Sequence, residues 1–284
     1  MPPIAFVTDT DCSLPEDLAV RYHIQQVPIT VQFGEESFLT GVNLDDTALF
    51  ERVDRENKLP STAAPSPGQF LEAYDKALAA GADSILCFTV SSAISATYNN
   101  AVTAQQLRPA RDITVVDTHS LSLGQGFMVM AAAEAAQQGA SKEDCLRRAH
   151  AVGQRTYLFA ALATLKYLAM SGRVGSIAAG MAGLLSIKPI LTIQDGKLEL
   201  LERIRTQKKA WQRTIDLTQQ AAAGRPIERM GIVHVAAPQA AKNFEQQLRA
   251  SLSCPANILV NDLTPGLSVH TGTGLVGVAF VAGK

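Results

Sequence analysis

The 284-residue chain carries 25 basic and 26 acidic side chains, and a net charge of −1 gives no electrostatic reason to expect nucleic acid or an anionic membrane as partner. With 47% hydrophobic and 18% charged residues it has ample material for a globular core, and its length favours two domains over one. No apolar run reaches the roughly 18 residues of a membrane span, and Met1-Pro2-Pro3 leads into a strand without the basic start of a signal peptide.

Residues 4–8 read as a buried strand closed by the polar run Thr8-Asp9-Thr10-Asp11-Cys12-Ser13. A helix over 14–22 with Pro15 near its start precedes a strand over 27–33 and a turn at Gly34-Glu35-Glu36. Asp45 or Asp46 can cap a helix running to about Asn57. The prolines of Pro60-Ser61-Thr62-Ala63-Ala64-Pro65-Ser66-Pro67 keep that segment extended. Ser66, Pro67 and Gln69 then spell a capping box that opens a helix with Phe70, Leu71, Tyr74, Ala77 and Leu78 on its apolar face.

The apolar strand 84–90 turns through Ser91-Ser92-Ala93-Ile94-Ser95-Ala96-Thr97-Tyr98 into another helix. Hydroxyls followed by the unpaired N–H groups of a helix start favour an anion there. Simple helix capping is the plainer account of the same residues. A strand over 113–116 ends in Asp117-Thr118-His119-Ser120, and helices cover 123–138 and 141–155. This alternation predicts a parallel sheet covered on both faces, with ligands beyond the carboxyl ends of its strands.

The second half reads differently. A strand over 157–163 and a short helix over 165–171 precede residues 175–185, whose Gly, Ala and Ser suit close backbone packing or one wall of an apolar cavity. Strands over 187–193 and 197–205 flank Asp195-Gly196, a strong hairpin signal. Helices over 207–222 and 239–252 alternate with strands over 231–235, 258–263 and 277–281. The expected architecture is therefore α/β with an N-terminal parallel-sheet domain, 1–155, and a C-terminal mixed-sheet domain, 156–284.

Several chemistries lack their motifs. There is no GxSxG elbow, HExxH pair or GxxxxGK[ST] loop. Gly272-Thr273-Gly274-Leu275-Val276-Gly277 spells GxGxxG, yet only seven residues follow it, too few for a dinucleotide site. It is expected to be a tight turn between strands. Cys12, Cys87, Cys145 and Cys254 form no CxxC pair, and the five histidines do not cluster, so no metal or cofactor is expected. Scattered thiols in a reducing, cytoplasmic setting are the corresponding expectation. Arg203, Arg205, Lys208, Lys209 and Arg213 form a basic patch at a helix start, where cations are unfavourable and an anionic partner would compensate. A serine of the 91–95 turn could also serve a hydrolase or acyltransferase, given a histidine and a carboxylate in the right geometry.

Seven segments in order resemble the DegV family: Thr8-Asp9-Thr10-Asp11 with Leu14-Pro15; Pro60 to Ser66; Ser91 to Tyr98; Leu165-Lys166-Tyr167-Leu168 with Gly172-Arg173; Lys188-Pro189-Ile190-Leu191; Arg205-Thr206 with Lys208-Lys209-Ala210; and His270-Thr271-Gly272-Thr273-Gly274. The resemblance implies a non-catalytic protein that holds one long-chain fatty acid, such as palmitate, in a tunnel between two domains. It further implies, for some members, a role as the binding subunit of a fatty acid kinase. Carried over by position, Thr62 and Ser95 would bind the carboxylate with His270 close by, and Arg173 and Arg205 would face the kinase. Ala63-Ala64 and Ala96 depart from the family's Ser-Gln pair and Ser-Gly-Thr turn.

Overall fold

A computed structural model describes residues 4–172 and 187–284. The expectations for Arg173 and for the small-residue wall at 175–185 lie outside the described residues.

In the first half, β1 (Ile4–Asp9) is followed by a one-turn 3-10 helix, α1 (Glu16–Arg21) and β2 (Ile24–Val27). Next come β3 (Thr30–Phe33), β4 (Glu36–Leu39), α2 (Asp46–Glu56), β5 (Ser61–Ala63) and α3 (Pro67–Ala79). Then β6 (Ser84–Thr89), α4 (Thr97–Gln106), β7 (Asp112–Asp117), α5 (Ser122–Gln137) and α6 (Lys142–Gly153) complete it. Four of these strands form a parallel sheet in the order β2-β1-β6-β7. Every residue of β6 is buried, as expected for a strand covered on both faces. The capping box of α3 is present: Ser66 Oγ accepts from Gln69 N at 3.3 Å and Gln69 Oε1 accepts from Ser66 N at 2.9 Å.

The single strand expected over 27–33 is two. Pro28 supplies no N–H for a continuous ladder, so β2 stays in the parallel sheet while β3 leaves it. There β3 joins a small antiparallel sheet, β4-β3-β5, that the sequence did not reveal. Gly34, at φ +60°, takes the first central position of the two-residue β3–β4 turn, as a type II′ turn requires.

The second half contains β8 (Thr156–Ala161), α7 (Lys166–Met170), β9 (Lys188–Gln194), β10 (Lys197–Ile204), α8 (Gln207–Ala222), β11 (Ile227–His234), α9 (Pro238–Ser251), β12 (Leu259–Asp262), α10 (Pro265–Thr271) and β13 (Val276–Ala282). Its six strands form a mixed sheet in the order β10-β9-β8-β13-β11-β12. Asp195 and Gly196 take φ of +49° and +77° at the β9–β10 turn, the pair of positive values a type I′ hairpin needs. The α/β class, with one parallel and one mixed sheet, is as the sequence indicates.

The short helix α10, which the sequence reading did not include, corrects the expectation of a turn between strands at Gly272–Gly277. Pro265 occupies its first position and Gly272, at φ +80°, ends it. The GxGxxG run therefore joins a helix to β13 rather than one strand to another. Between the two larger sheets lies α5, packed against β1 and β6 on one side and β8, β11 and β13 on the other. That sandwiched position explains why thirteen of its sixteen residues are buried and its side chains are mostly small. The largest apolar cluster accordingly joins Leu86 and Phe88 of the parallel sheet to Leu158, Val233 and Val281 of the mixed sheet.

Candidate functional site

The chain leaves β1 for β2 on one side and later returns to β6 on the other, which makes the β1–β6 boundary a topological switch point. Loops diverge there, and open α/β sheets bind ligands in the resulting crevice. Asp9, at the end of β1, bridges the boundary: its Oδ2 accepts from Val90 N at 2.8 Å and from Gln125 Nε2 at 3.1 Å. Burial pushes its carboxyl up to about 6 against the pull of those donors.

A cavity of about 310 Å³ opens beyond this crevice, between the parallel and mixed sheets. The mixed sheet's contribution follows from its register. Leu191 of β9 pairs with Ala160 of β8, Ala160 with Gly277 of β13, and Gly277 with Val233 of β11. Side chains in such a cross-strand row point to one face. Small residues at the centre of the row, flanked by larger ones, leave a groove. Leu158 and Ala279 continue the same face one pair along, and all six residues line the cavity.

Three of the polar residues of the wall come from separate elements. Thr62 is placed by β5, where it pairs with Val31 of β3. His270 is placed by the last turn of α10. Their side chains meet, with Thr62 Oγ1 3.1 Å from His270 Nε2, although 208 positions separate them in the chain. Ser95 lines the same cavity from the β6–α4 turn. Its Oγ lies 2.8 Å from Thr97 Oγ1 and accepts from Thr97 N at 3.3 Å, so the hydroxyl sits directly before the helix start. Two hydroxyls and an imidazole in a largely apolar cavity can satisfy a carboxylate and leave its hydrocarbon among leucines.

The sequence model of the DegV family, described as an uncharacterised protein family, matches residues 3–283. A DegV domain-containing protein of Mycobacterium bovis is 35% identical over 282 residues, covering 99% of this chain and 98% of the relative. The chain belongs to the DegV family. Among solved structures, a DegV family protein of Thermus thermophilus described as binding fatty acid superposes with a TM-score of 0.91 at 33% identity, over 98% of this chain and 99% of that one. DegV of Bacillus subtilis, described as a fatty acid binding protein, gives 0.88 at 28% identity over 99% of both chains.

In this DegV chain Thr62, Ser95 and His270 line one cavity. Ala96, the departure from the family turn, has φ −75° and ψ −2°, ordinary helical values that a Cβ tolerates. Ala63 and Ala64 line the cavity and add no polar group. Ser91, a candidate nucleophile in the hydrolase reading, has its hydroxyl engaged: Oγ donates to Gly196 O at 2.7 Å and accepts from Ala93 N at 3.3 Å. Arg205 lies away from the cavity, exposed between β10 and α8. Arg213 of the basic patch pairs with Glu202, whereas none of the described ion pairs takes up Arg203, Arg205, Lys208 or Lys209. Among the described residues no cluster of His, Cys, Asp and Glu could hold a metal.

Sequence reasoning missed two buried carboxylates around α10. Asp46, at the start of α2, places Oδ2 2.8 Å from Ser268 Oγ, which also lies 3.0 Å from Leu263 O. Burial pushes the Asp46 carboxyl up to about 8, with the charges of Asp262 and Asp45 adding to the effect. Asp46 therefore holds its proton at neutral pH and donates to Ser268, leaving the serine's one proton for Leu263 O. This chain fixes the helix that carries His270. The signal was an adjacent pair, Asp45-Asp46, of which only Asp45 caps α2. The second carboxylate is Asp11, which lines the cavity.

Proposed function

We propose that this chain binds a long-chain fatty acid, with the carboxylate held by Thr62 and Ser95, His270 beside them, and the acyl chain along the groove of the mixed sheet. The observation that carries the reading is the Thr62–His270 pair facing the same apolar cavity as Ser95. The fatty acid binding ascribed to the Thermus thermophilus and Bacillus subtilis relatives supports it. Residues 1–155 and 156–284 act as two domains that meet at this cavity. The protein is not itself catalytic; it presents the bound acid to a separate kinase that forms an acyl phosphate, with Arg173 and Arg205 on the docking face.

The energetics agree with that assignment. About fifteen buried methylenes contribute roughly 12 kcal/mol before losses. Association and ordering offset much of this. A buried carboxylate loses several kcal/mol of hydration unless donors replace it, and each hydrogen bond to the charged group returns about 1.5–3 kcal/mol. Titration of palmitate into wild-type protein and a Thr62→Ala/Ser95→Ala double variant tests the assignment. The double variant is expected to lose at least about tenfold in affinity, since one such hydrogen bond already amounts to more than about 1.4 kcal/mol. Unchanged affinity overturns the assignment.

A further inference from the structure

The strands β9 and β10 form a hairpin at the free edge of the mixed sheet. β8 holds only its base: Ile190, Leu191 and Thr192 pair with Ala161, Ala160 and Phe159, and beyond Thr192 the two strands run on to the Asp195-Gly196 turn paired only to each other. β10 has no neighbour on its other side, and beside that base its register with β9 is broken between Leu200 and Glu202. A bulged strand bends at such a point. Leu198, in the overhanging part, lines the cavity together with Leu191. Its place in the wall therefore depends on the hairpin tip staying down.

The tip is held at one point. Gln194, Asp195 and Lys197 are exposed, whereas Gly196 is buried. The Gly196 carbonyl accepts from Ser91 Oγ at 2.7 Å, and among the described residues this is the one hydrogen bond from 193–198 to the first half of the chain. The approach is close, since a Cβ on Gly196 would lie 2.6 Å from Ser91 Oγ and 2.9 Å from His119 Nδ1. Ser91 is itself wholly buried, and its N–H donates to Ser120 O at 2.9 Å. Its carbonyl accepts from Ile94 N and Ser95 N, both at 3.2 Å. The residue that holds the tip thus also shapes the turn that carries Ser95.

We propose that Ser91 is a positioning residue for ligand exchange: its hydroxyl latches the β9–β10 hairpin over the cavity, and a fatty acid enters and leaves when that latch opens. This inference rests on the fatty-acid reading and adds to it the route by which the acid reaches the cavity. A latch that forms equally with and without ligand scales association and release by one factor. Their ratio, the affinity, stays the same, because both steps pass through the same open state.

Stopped-flow fluorescence with cis-parinarate, a fluorescent long-chain fatty acid, measures both rates, with release followed on displacement by excess palmitate. Ser91→Ala is expected to speed association and release alike by about fivefold, the effect of one hydrogen bond, and to change affinity by less than about twofold. Faster release with unchanged association, and so weaker binding, would confine the effect of Ser91 to the Ser95 turn and overturn the latch. A Ser91→Cys/Gly196→Cys variant supplies the opposite perturbation. Because Oγ is bonded to the Ser91 Cβ, the two Cβ atoms lie within about 4 Å, inside disulfide reach. The oxidised variant is expected to exchange cis-parinarate at least about tenfold more slowly than the same protein reduced, as a closed gate requires. Equal rates in the two states overturn the proposal. Should the two thiols stay free, the Ser91→Ala rates decide. Wild-type protein that binds neither cis-parinarate nor palmitate overturns the fatty-acid reading itself.

Discussion

Asp46→Asn is expected to make the protein more stable in alkaline solution, because Asp46 is buried as a neutral acid. The side chain is 4% exposed, one oxygen faces Ser268 Oγ at 2.8 Å, and the other has no partner. Its carboxyl is pushed from the ordinary value of 3.8 up to about 8. Below the ordinary value both folded and unfolded chains hold the proton, and the group leaves stability unchanged. As pH rises from there, the unfolded chain gives up its proton first, so stability declines until the folded-state value is passed. The full difference corresponds to roughly 6 kcal/mol, an upper bound because the protein relaxes around a new charge. Asparagine keeps the donor to Ser268 and cannot ionise. Urea unfolding followed by Trp211 fluorescence, at pH 5 and pH 9, measures the effect. Wild type should lose several kcal/mol more than Asp46→Asn between the two, and above pH 8 its affinity for ligand should fall as α10 loosens. Parallel pH profiles for the two proteins would show that Asp46 is not buried as a neutral acid.

Three further outcomes follow from the site and its supports. Gly272→Ala would bring a Cβ within 2.1 Å of the Tyr167 ring at φ +80°, and a loss of about 1–3 kcal/mol in urea unfolding is expected from backbone strain alone. Ala160→Phe fills the centre of the groove; if it excludes about four methylenes, palmitate affinity should fall by about 3 kcal/mol, over a hundredfold, while a shorter acid binds nearly as before. Arg205→Ala should leave lipid affinity unchanged and abolish phosphorylation of the bound acid by a partner kinase, read as acyl phosphate formed in a coupled assay.

Much of the frame was legible because local rules sufficed. The Ser66–Gln69 box and the Asp195-Gly196 turn each depend on a few adjacent residues, and both appear as the sequence indicates. Thr62 and Ser95 were chosen through the resemblance of their motifs to the DegV family. The three-stranded sheet was not legible: Gly34-Glu35-Glu36 reads as a turn with no strand after it, and only pairing with β3 makes β4 a strand. Nor could composition show that α10 exists, since seven residues between Thr264 and Gly272 carry little periodicity. The groove depends on Ala160, Gly277, Leu191 and Val233 sharing one row, which is a matter of register across strands far apart in the chain. Asp11 and Asp46 were unreadable for a related reason. Burial determines their chemistry, and burial is a tertiary property.

The central claim is that the cavity facing Thr62, Ser95 and His270 belongs to a fatty acid. Denaturing mass spectrometry of the purified protein, with the released small molecules extracted and weighed, tests it most directly. Close to one equivalent of a long-chain fatty acid is expected from wild-type protein, and none from the Thr62→Ala/Ser95→Ala variant. Release of a different class of molecule from wild-type protein, or an equal yield of fatty acid from the double variant, would contradict it.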